Sequence, residues 1–182
     1  MKQPSFIVLE GLNGVGKTTI SKLLVERLNG IYITTPSSIF QTGRVLVDKS
    51  ADPIARFLFY LAGVYQTSIE IAEIIGSGQT IVCDRYYHST VCSNRAAGLD
   101  VEIPQFVNLI QPDFTFLVTC EQNIRLSRLS KRGMGINDIR ERKDDIEQRT
   151  VEEFRKFRLI EVDNTISSPI VAVEAIIKII GG

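Results

Sequence analysis

Eight consecutive residues near the start of the chain restrict its fold more than any other feature. Residues 11–18 have the sequence Gly-Leu-Asn-Gly-Val-Gly-Lys-Thr, which matches the spacing G-x-x-x-x-G-K-[ST]. Glycines allow positive φ and a close approach of the backbone to an anion. Successive backbone N–H groups can then surround a phosphate at the N-terminus of the following helix. The motif therefore predicts a phosphate-binding loop.

The loop supplies distinct groups to a bound nucleotide. Lys17 brings a cation to the β- and γ-phosphates, and Thr18 brings a hydroxyl ligand for Mg²⁺. The residues that we expect to contact the nucleotide are Gly11, Asn13, Gly14, Val15, Gly16, Lys17, Thr18 and Thr19. Together they predict a nucleoside triphosphate bound with Mg²⁺.

The segments on either side of the loop suit this interpretation. Residues 5–9 form an apolar run of strand length that leads directly into the loop. Residues 19–28 have their apolar side chains at helical spacing, which predicts an amphipathic helix. A strand, a glycine-rich loop and a helix in this order form the context that a phosphate-binding loop requires.

Strands and helices alternate along the rest of the sequence. Further strands are predicted at 31–34, 80–83, 114–119 and 159–163, and helices at 42–49, 53–75, 87–97, 103–110, 121–131, 145–158 and from 169 onward. This alternation predicts a single domain over residues 1–182 with a three-layer α/β/α fold, in which a five-stranded parallel sheet has helices on both faces. The ligand site should lie at the carboxyl ends of the strands.

The charge balance and hydropathy exclude several partners. The 21 Lys and Arg residues equal the 21 Asp and Glu residues, so no basic field exists to bind a nucleic acid polymer. No apolar run approaches the roughly 20 residues of a membrane span, and we expect no signal peptide. The three cysteines are expected to be buried, reduced thiols. We therefore expect a cytoplasmic protein whose partners are small molecules.

Two charged residues follow the third predicted strand. Asp84 can bind Mg²⁺ directly or through water, or orient the attacking group, and Arg85 can hold a second phosphate bidentately. A turn aspartate and a surface ion pair are the structural alternatives. Because both residues should lie beside the loop at residues 11–18, they point to phosphoryl transfer.

A segment at about residues 131–145 resembles a mobile lid, because glycines at 133 and 135 interrupt a densely charged stretch. A kinase must exclude water from the transferring phosphoryl group. The candidate arginines are Arg125, Arg128 and Arg132, which share a helix face, and Arg140 and Arg142 beyond the glycines. The alternative is a solvated, charged helix face.

The chemistry of phosphoryl transfer narrows the class of molecule that accepts the phosphate. A regulatory GTPase would need N-K-x-D and D-x-x-G motifs, and neither string occurs. A nucleoside kinase needs a carboxylate near a neutral hydroxyl, whereas the second strand ends Thr34-Thr35-Pro36 and no acid follows before Asp48. A phosphate acceptor is already anionic and needs no strong base. This favours a nucleoside monophosphate as the acceptor.

The chain resembles the thymidylate kinase family from about residue 6 to about residue 180. The resemblance is carried by Phe6–Thr19, by Asp84-Arg85-Tyr86 followed by Ser89, and by Pro112-Asp113 before the fourth strand. Other parts are most similar to the thymidylate-kinase-like UMP/CMP kinase branch, namely residues 84–90, Phe59-Tyr60 and Arg132-Gly133-Met134. Membership would imply the phosphate-loop (P-loop) NTPase fold.

The resemblance implies a Mg²⁺-dependent transfer of the γ-phosphate of ATP to a pyrimidine nucleoside monophosphate, with dTMP as the first candidate for the acceptor. It also implies that the enzyme is a homodimer. It implies Thr18 and Asp84 as metal ligands. The catalytic residues it implies are Lys17, Asp84, Arg85, Arg132 and Arg140. The implied acceptor-binding residues are Arg44, which would hold the phosphate, Tyr60, which would stack on the base, Val64, Arg85 and Ser89. One subgroup of the family has its catalytic arginine inside the phosphate-binding loop. Because position 14 is glycine in this chain, the catalytic arginine should come from the lid, and Arg132 and Arg140 are the first candidates.

Three residues depart from the family pattern. The third loop position carries Asn13 instead of an acid, and Thr35 stands where Glu precedes the proline. Val64 occupies the position of an arginine that reads thymine. These departures leave UMP, CMP, dUMP or dCMP as alternative acceptors. A deoxynucleoside kinase and an inactive nucleotide-binding regulator are the alternatives outside this class.

Overall fold

A computed structural model of the chain describes residues 5–142, 145–165 and 168–181. In these residues the sheet has five strands: β1 (Phe6–Glu10), β2 (Ile31–Thr34), β3 (Ile81–Asp84), β4 (Phe114–Thr119) and β5 (Ile160–Asp163). The strand order is β2-β3-β1-β4-β5, and every pair is parallel. The predicted five-stranded parallel sheet is confirmed.

Helices connect the strands. They are α1 (Lys17–Leu28), α2 (Gln41–Ser50) after a short 3₁₀ turn (Ser38–Phe40), α3 (Pro53–Gly76), α4 (Tyr87–Ala96), α5 (Gln122–Arg132), α6 (Ile136–Glu141), α7 (Ile146–Lys156) and α8 (Pro169–Gly181). Within the described ranges, no helix is both long and apolar enough to cross a bilayer.

Strand β1 shows why helices cover both faces of the sheet. Its residues point alternately to opposite faces, and all of them are buried. Ile7 and Leu9 pack in the core that includes residues of α1 and α8. Phe6 and Val8 pack in a second core with residues of α3. The predicted three-layer arrangement is confirmed.

The longest helix, α3, begins where the sequence predicts. The Asp52 carboxylate accepts hydrogen bonds from the backbone N–H groups of Ile54 (2.8 Å) and Ala55 (3.4 Å), and Pro53 occupies the first turn. An N-cap aspartate followed by proline is the combination that starts helices without losing a backbone donor.

The helix predicted at residues 103–110 is wrong. This segment is irregular, with one turn in which the Val107 N–H donates to the Pro104 carbonyl at 2.8 Å. Ile103, Val107 and Leu109 nevertheless contact the core that contains α3. Tertiary packing of these apolar side chains therefore determines the conformation, and their helix-like spacing does not.

The strand order determines which of the expected site residues lie next to one another. Strand β1 lies between β3 and β4, and Leu9 near its end is paired with Asp84 at the end of β3. Asp84 is also paired with Thr34, the last residue of β2. The loop after β1 and the residues that follow β2 and β3 therefore meet at one edge of the sheet, where ligands bind in such folds.

Candidate active site

The loop between β1 and α1 has the backbone that its glycines allow. Gly11, Gly14 and Gly16 all have positive φ, at 135°, 86° and 103°. Helix α1 begins at Lys17, directly after the third of these. The loop therefore lies at the positive end of a helix, where an anion is stabilised.

Tight packing is a second reason for the glycines. A Cβ on Gly14 would lie 2.8 Å from Leu129 Cγ and 3.2 Å from Arg125 Cγ. A Cβ on Gly11 would collide with the carbonyl oxygen of Val118 in β4. The loop is thus pressed against β4 and α5, and larger residues are excluded even before a phosphate is considered.

Two of the arginines expected on the lid hold the loop backbone instead. Arg125 is 1% exposed and donates to the Asn13 carbonyl at 2.9 Å. Arg128 donates to the Val15 carbonyl at 3.2 Å, and Asn164 after β5 donates to the same oxygen at 2.7 Å. Asn164 was not identified from the sequence, where its position just after a strand at the carboxyl edge is the only signal. These contacts fix the shape of the loop.

Lys17 is buried in the loop that it follows. Its Nζ donates to the carbonyl oxygens of Gly11 (2.9 Å) and Leu12 (2.7 Å). Burial and the positive charge of Arg85 lower the pKa of Lys17 to about 7, although Asp84 and other carboxylates oppose this shift. An anion placed at the loop would therefore favour the protonated, phosphate-binding form of this side chain.

Thr18 and Asp84, the two expected metal ligands, are in contact. The Thr18 hydroxyl donates to Asp84 Oδ2 at 2.5 Å, and the Tyr32 hydroxyl lies 3.3 Å from the same oxygen. Burial and the Asp84 charge raise the pKa of Tyr32 to about 12, so Tyr32 remains a neutral donor. A hydroxyl and a carboxylate side by side are oxygen ligands of the kind that Mg²⁺ prefers, so these residues fit the ion.

Arg85 joins the loop to α4. Its Nη1 donates to the Ser89 hydroxyl at 2.7 Å, and its Nη2 donates to Asn13 Oδ1 at 2.6 Å. Its backbone has φ of 72°, and its N–H donates to the Leu9 carbonyl at 2.9 Å. Three of the expected site residues, Asn13, Arg85 and Ser89, are therefore brought together.

Glu10 is a residue of this site that sequence reasoning missed. It is fully buried at the end of β1 and accepts hydrogen bonds from the backbone N–H groups of Tyr86 (2.9 Å) and Ser89 (3.2 Å), and from the Ser89 hydroxyl. Its negative charge thus lies at the N-terminus of α4, where the helix dipole favours it. An acid that ends an apolar strand, directly before the loop, is the signal that could have identified it.

A cavity of about 320 Å³ opens beside the loop. Its wall includes six of the residues expected from the sequence: Asn13, Arg44, Tyr60, Arg85, Ser89 and Arg140. Polar residues of α4, among them Thr90, Ser93 and Asn94, form another part of the wall. The expected loop, acceptor and lid residues therefore border one space.

Two expected residues lie elsewhere. Val64 is 1% exposed and packs in the core with Phe6 and Ile71. Arg132 donates to both carboxylate oxygens of Asp138 at 2.9 Å. In the part of the chain that the structure describes, neither side chain lines the cavity. Val64 faces the sheet because α3 must bury an apolar stripe. This packing requirement is the same whichever nucleotide base the enzyme prefers.

Arg44 and Tyr60 form a pair on the cavity wall. The Arg44 guanidinium carbon lies 5.9 Å from the centroid of the Tyr60 ring, and Arg44 Nε donates to the Tyr60 hydroxyl at 3.2 Å. The Tyr60 hydroxyl donates to Asp48 Oδ1 at 2.8 Å. Burial raises the pKa of Tyr60, opposed by Arg44 and assisted by Asp48, which keeps the hydroxyl protonated.

The cavity carries more positive charge than the sequence suggested. Arg56, one helical turn before Tyr60 on α3, lines the wall with Arg44, Arg85 and Arg140. Burial and the charge of Arg140 lower the pKa of Arg56. Arg140 Nη1 is buried and has no hydrogen-bond partner among the described residues. Four guanidinium groups around one cavity are suited to an anionic ligand. The spacing of Arg56 and Tyr60 is the signal that could have revealed Arg56.

The segment that we expect to form the lid contacts the loop. Glu141, at the end of α6, accepts a hydrogen bond from the Asn13 N–H at 3.1 Å and lies 3.4 Å from Arg125 Nη1. Burial raises the pKa of Glu141, although Arg85 and Lys17 act in the opposite direction. Positions 143 and 144 of the expected lid lie outside the described residues.

Comparison with known proteins gives a consistent result. The family model for thymidylate kinase matches residues 9–174. A probable thymidylate kinase of Methanocaldococcus jannaschii is 28% identical over 173 residues, covering 88% of this chain and 87% of that protein. A thymidylate kinase of Rickettsia africae is 30% identical over 152 residues, covering 74% and 73%.

Solved structures show the same fold. A thymidylate kinase from Candida albicans superimposes with a TM-score of 0.79 at 18% identity, covering 98% of this chain and 92% of that one. A thymidylate kinase from Ehrlichia chaffeensis gives a TM-score of 0.73 at 20% identity, covering 98% and 99%.

Proposed function

The chain belongs to the thymidylate kinase family and is a nucleoside monophosphate kinase, and we propose that it transfers the γ-phosphate of ATP to dTMP. One observation carries the transfer to a monophosphate: the phosphate-binding loop opens onto a cavity whose described wall includes four arginines and the Tyr60 ring. The choice of dTMP rests on the family and on relatives named thymidylate kinase. A loop of this kind holds the donor, and the arginines suit the phosphate of an acceptor.

The residues divide between donor and acceptor. Lys17 and the loop N–H groups would bind the β- and γ-phosphates of ATP. Arg85 and Arg44 would hold the acceptor phosphate, and Tyr60 would stack on the base. Arg140, whose Nη1 lacks a partner among the described residues, would neutralise charge on the transferring group. The acceptor oxygen is already anionic, so positioning and charge neutralisation suffice without a strong base.

We propose Thr18 and Asp84 as the residues that hold Mg²⁺. The contact between the hydroxyl and the carboxylate supports this assignment. When bound, Mg²⁺ neutralises phosphate charge during transfer. Tyr32 would orient the Asp84 carboxylate through the oxygen that it shares with Thr18.

A panel of acceptors tests the proposed function. The protein is incubated with ATP, Mg²⁺ and, in turn, dTMP, dUMP, dCMP, UMP, CMP and thymidine, and ADP is followed. We expect the highest kcat/KM with dTMP and none of this activity in Lys17→Ala. Preference for UMP or CMP would replace the proposed acceptor, and turnover with thymidine alone would refute phosphate as the acceptor group.

We also propose that the active form is a homodimer. Helix α3 carries an exposed apolar stripe formed by Ile54, Leu58, Tyr65 and Ile69, each between 43% and 52% exposed. These residues share one helix face, and a two-fold axis would pack the stripe against the same stripe of a second copy. Light scattering should give twice the monomer mass, and Leu58→Glu should give the monomer mass. Glu73→Gln on the same helix is the control.

A cytoplasmic location is proposed on the chemistry of the cysteines. Cys83 and Cys92 are buried free thiols, and Cys120 is a partly buried one. Free thiols are typical of reducing compartments. Fractionation of cells that express the protein should place it with soluble cytoplasmic markers, and recovery with membranes or in the medium would contradict this proposal.

A further inference from the structure

We propose that Asp48 is a positioning residue that fastens the lid helix α6 to the acceptor pocket, defined here by Arg44 and Tyr60. Asp48 lies near the end of α2 and is only 7% exposed. The role of the pocket in this inference depends on the proposed function, whereas the contacts themselves do not.

On one side, Asp48 holds the pocket residues. Its Oδ1 accepts the hydrogen bond from the Tyr60 hydroxyl at 2.8 Å. Its Oδ2 lies 3.7 Å from Arg44 Nε, one helical turn away on α2. Because Arg44 Nε also donates to the Tyr60 hydroxyl, the three groups form a closed network. The carboxylate thereby sets the direction of both the ring and the guanidinium group.

On the other side, Asp48 holds the lid. Asn137 Nδ2 on α6 donates to Asp48 Oδ2 at 3.1 Å, across 89 positions of sequence. Arg140 Nη2, one turn further along α6, donates to the backbone carbonyl of Asp48. Two residues of the lid helix are therefore bonded to one residue of α2.

Tyr60 and Asn137 thus bind opposite oxygens of a single carboxylate. A buried carboxylate polarises both bonds, so the loss of one partner changes the strength of the other. An asparagine at position 48 would have the same size but only one acceptor oxygen. In the same orientation its oxygen would face only one of Tyr60 and Asn137, and its NH₂ group would face the other, which makes Asp48→Asn a change in bonding with almost no change in volume.

The first test needs no substrate. Hydrogen exchange is measured on the peptide covering residues 136–141 of the full-length protein. We expect Asp48→Asn to raise the exchange of this peptide by about tenfold, the effect of losing one hydrogen bond to a charged group. Asp52→Asn is the matched control, because asparagine also caps helices well and Asp52 caps α3. Unchanged exchange in Asp48→Asn, or an equal rise in the control, would overturn the proposal.

The second test is a double-mutant cycle on two residues that are both hydrogen-bonded to Asp48. Tyr60→Phe and Asn137→Ala are made singly and together, and kcat/KM is measured with the monophosphate that the wild-type protein prefers. We expect the double variant to lose less than the product of the single losses, and the losses to become multiplicative in the Asp48→Asn background. Multiplicative losses in the wild-type background would refute the coupling.

Steady-state constants separate positioning from general support of the fold. Asp48→Asn should raise the KM of the acceptor by about tenfold and leave the KM of ATP unchanged. If Asp48 only stabilised the fold, the active fraction would fall with both KM values unaltered. A wild-type protein that uses an acceptor other than dTMP would refute the proposed substrate, while the exchange experiment would still decide the role of Asp48.

Discussion

Thr18 and Asp84 are 66 positions apart in the chain, yet the Thr18 hydroxyl lies 2.5 Å from the Asp84 carboxylate. The contact arises because β1 pairs with β3, which sets Asp84 beside Leu9 just before the loop. The register of these two strands therefore brings together the two oxygen ligands proposed for Mg²⁺. Thr18 lies at the start of a helix, and Asp84 lies at the end of a strand.

Removing either ligand should change the dependence on Mg²⁺. We expect Asp84→Asn and Thr18→Ala to raise the Mg²⁺ concentration needed for half-maximal activity, with kcat lowered roughly tenfold to a hundredfold, as when one charge-assisted contact is lost. Activity is measured over a Mg²⁺ titration at fixed ATP. Asp100→Asn, an exposed position after α4, should behave as the wild-type protein. An unchanged Mg²⁺ titration in Asp84→Asn would contradict the assignment.

Binding of ATP should take up a proton at pH 8. Burial lowers the pKa of Lys17 to about 7, so the free protein holds a largely neutral amine at pH 8, and the triphosphate favours its protonation. Calorimetry in two buffers of different ionisation enthalpy measures the uptake. Lys17→Met should abolish it, and Lys22→Met, an exposed position on α1, should retain it. If the wild-type protein takes up no proton when it binds ATP, the pKa of Lys17 is not lowered in the free protein.

The same lowered pKa has a consequence for stability. The unfolded chain keeps Lys17 protonated up to about pH 10.5, whereas the folded protein releases the proton above about pH 7. The unfolded state thus binds more protons in this window, so the contribution of Lys17 to stability grows as pH rises. The midpoint of urea unfolding from pH 7 to 9 should rise less steeply in Lys17→Met than in the wild-type protein.

The two lid arginines should differ in their effect on turnover. Arg140 lines the cavity, whereas Arg132 is paired with Asp138. We expect Arg140→Gln to lower kcat by roughly tenfold to a hundredfold, the range for one hydrogen bond to a charged group. Arg132→Gln should have a smaller effect on kcat and loosen the start of α6. A larger loss in Arg132→Gln would mean that the lid rearranges when nucleotides bind.

Gly14→Ala should destabilise the loop and weaken ATP binding. Its φ of 86° is costly for alanine, and the added Cβ would lie 2.8 Å from Leu129. We expect a loss of about 2 kcal/mol in the free energy of unfolding, measured by urea denaturation. Gly76→Ala is the control, since no atom of the described residues lies within 4 Å of its Cβ position at the end of α3. Equal stability of the two variants would refute the packing argument.

Residues 11–18 show which properties follow from local sequence. The glycines, Lys17 and Thr18 lie next to one another in the chain, so their spacing alone predicts a loop with positive φ at the start of a helix. Strand β1 and the N-cap at Asp52 are local in the same sense, because side-chain alternation and one capping hydrogen bond determine them. The segment at residues 103–110 fails for the opposite reason, since distant core contacts outweigh its helical spacing.

The contacts between residues of the candidate site could be identified only in the folded chain. Sequence alone determined the phosphate-binding loop, the parallel α/β fold and the presence of Asp84 and Arg85 beside the loop, because these depend on short-range patterns and on the general geometry of parallel sheets. Only the tertiary structure decided that Arg125 supports the loop and that Asp48 joins α2 to α6. Side-chain contacts that support the loop connect residues up to 149 positions apart, as between Asn164 and Val15. Their geometry depends on how whole helices pack, and packing leaves no signature at a single position.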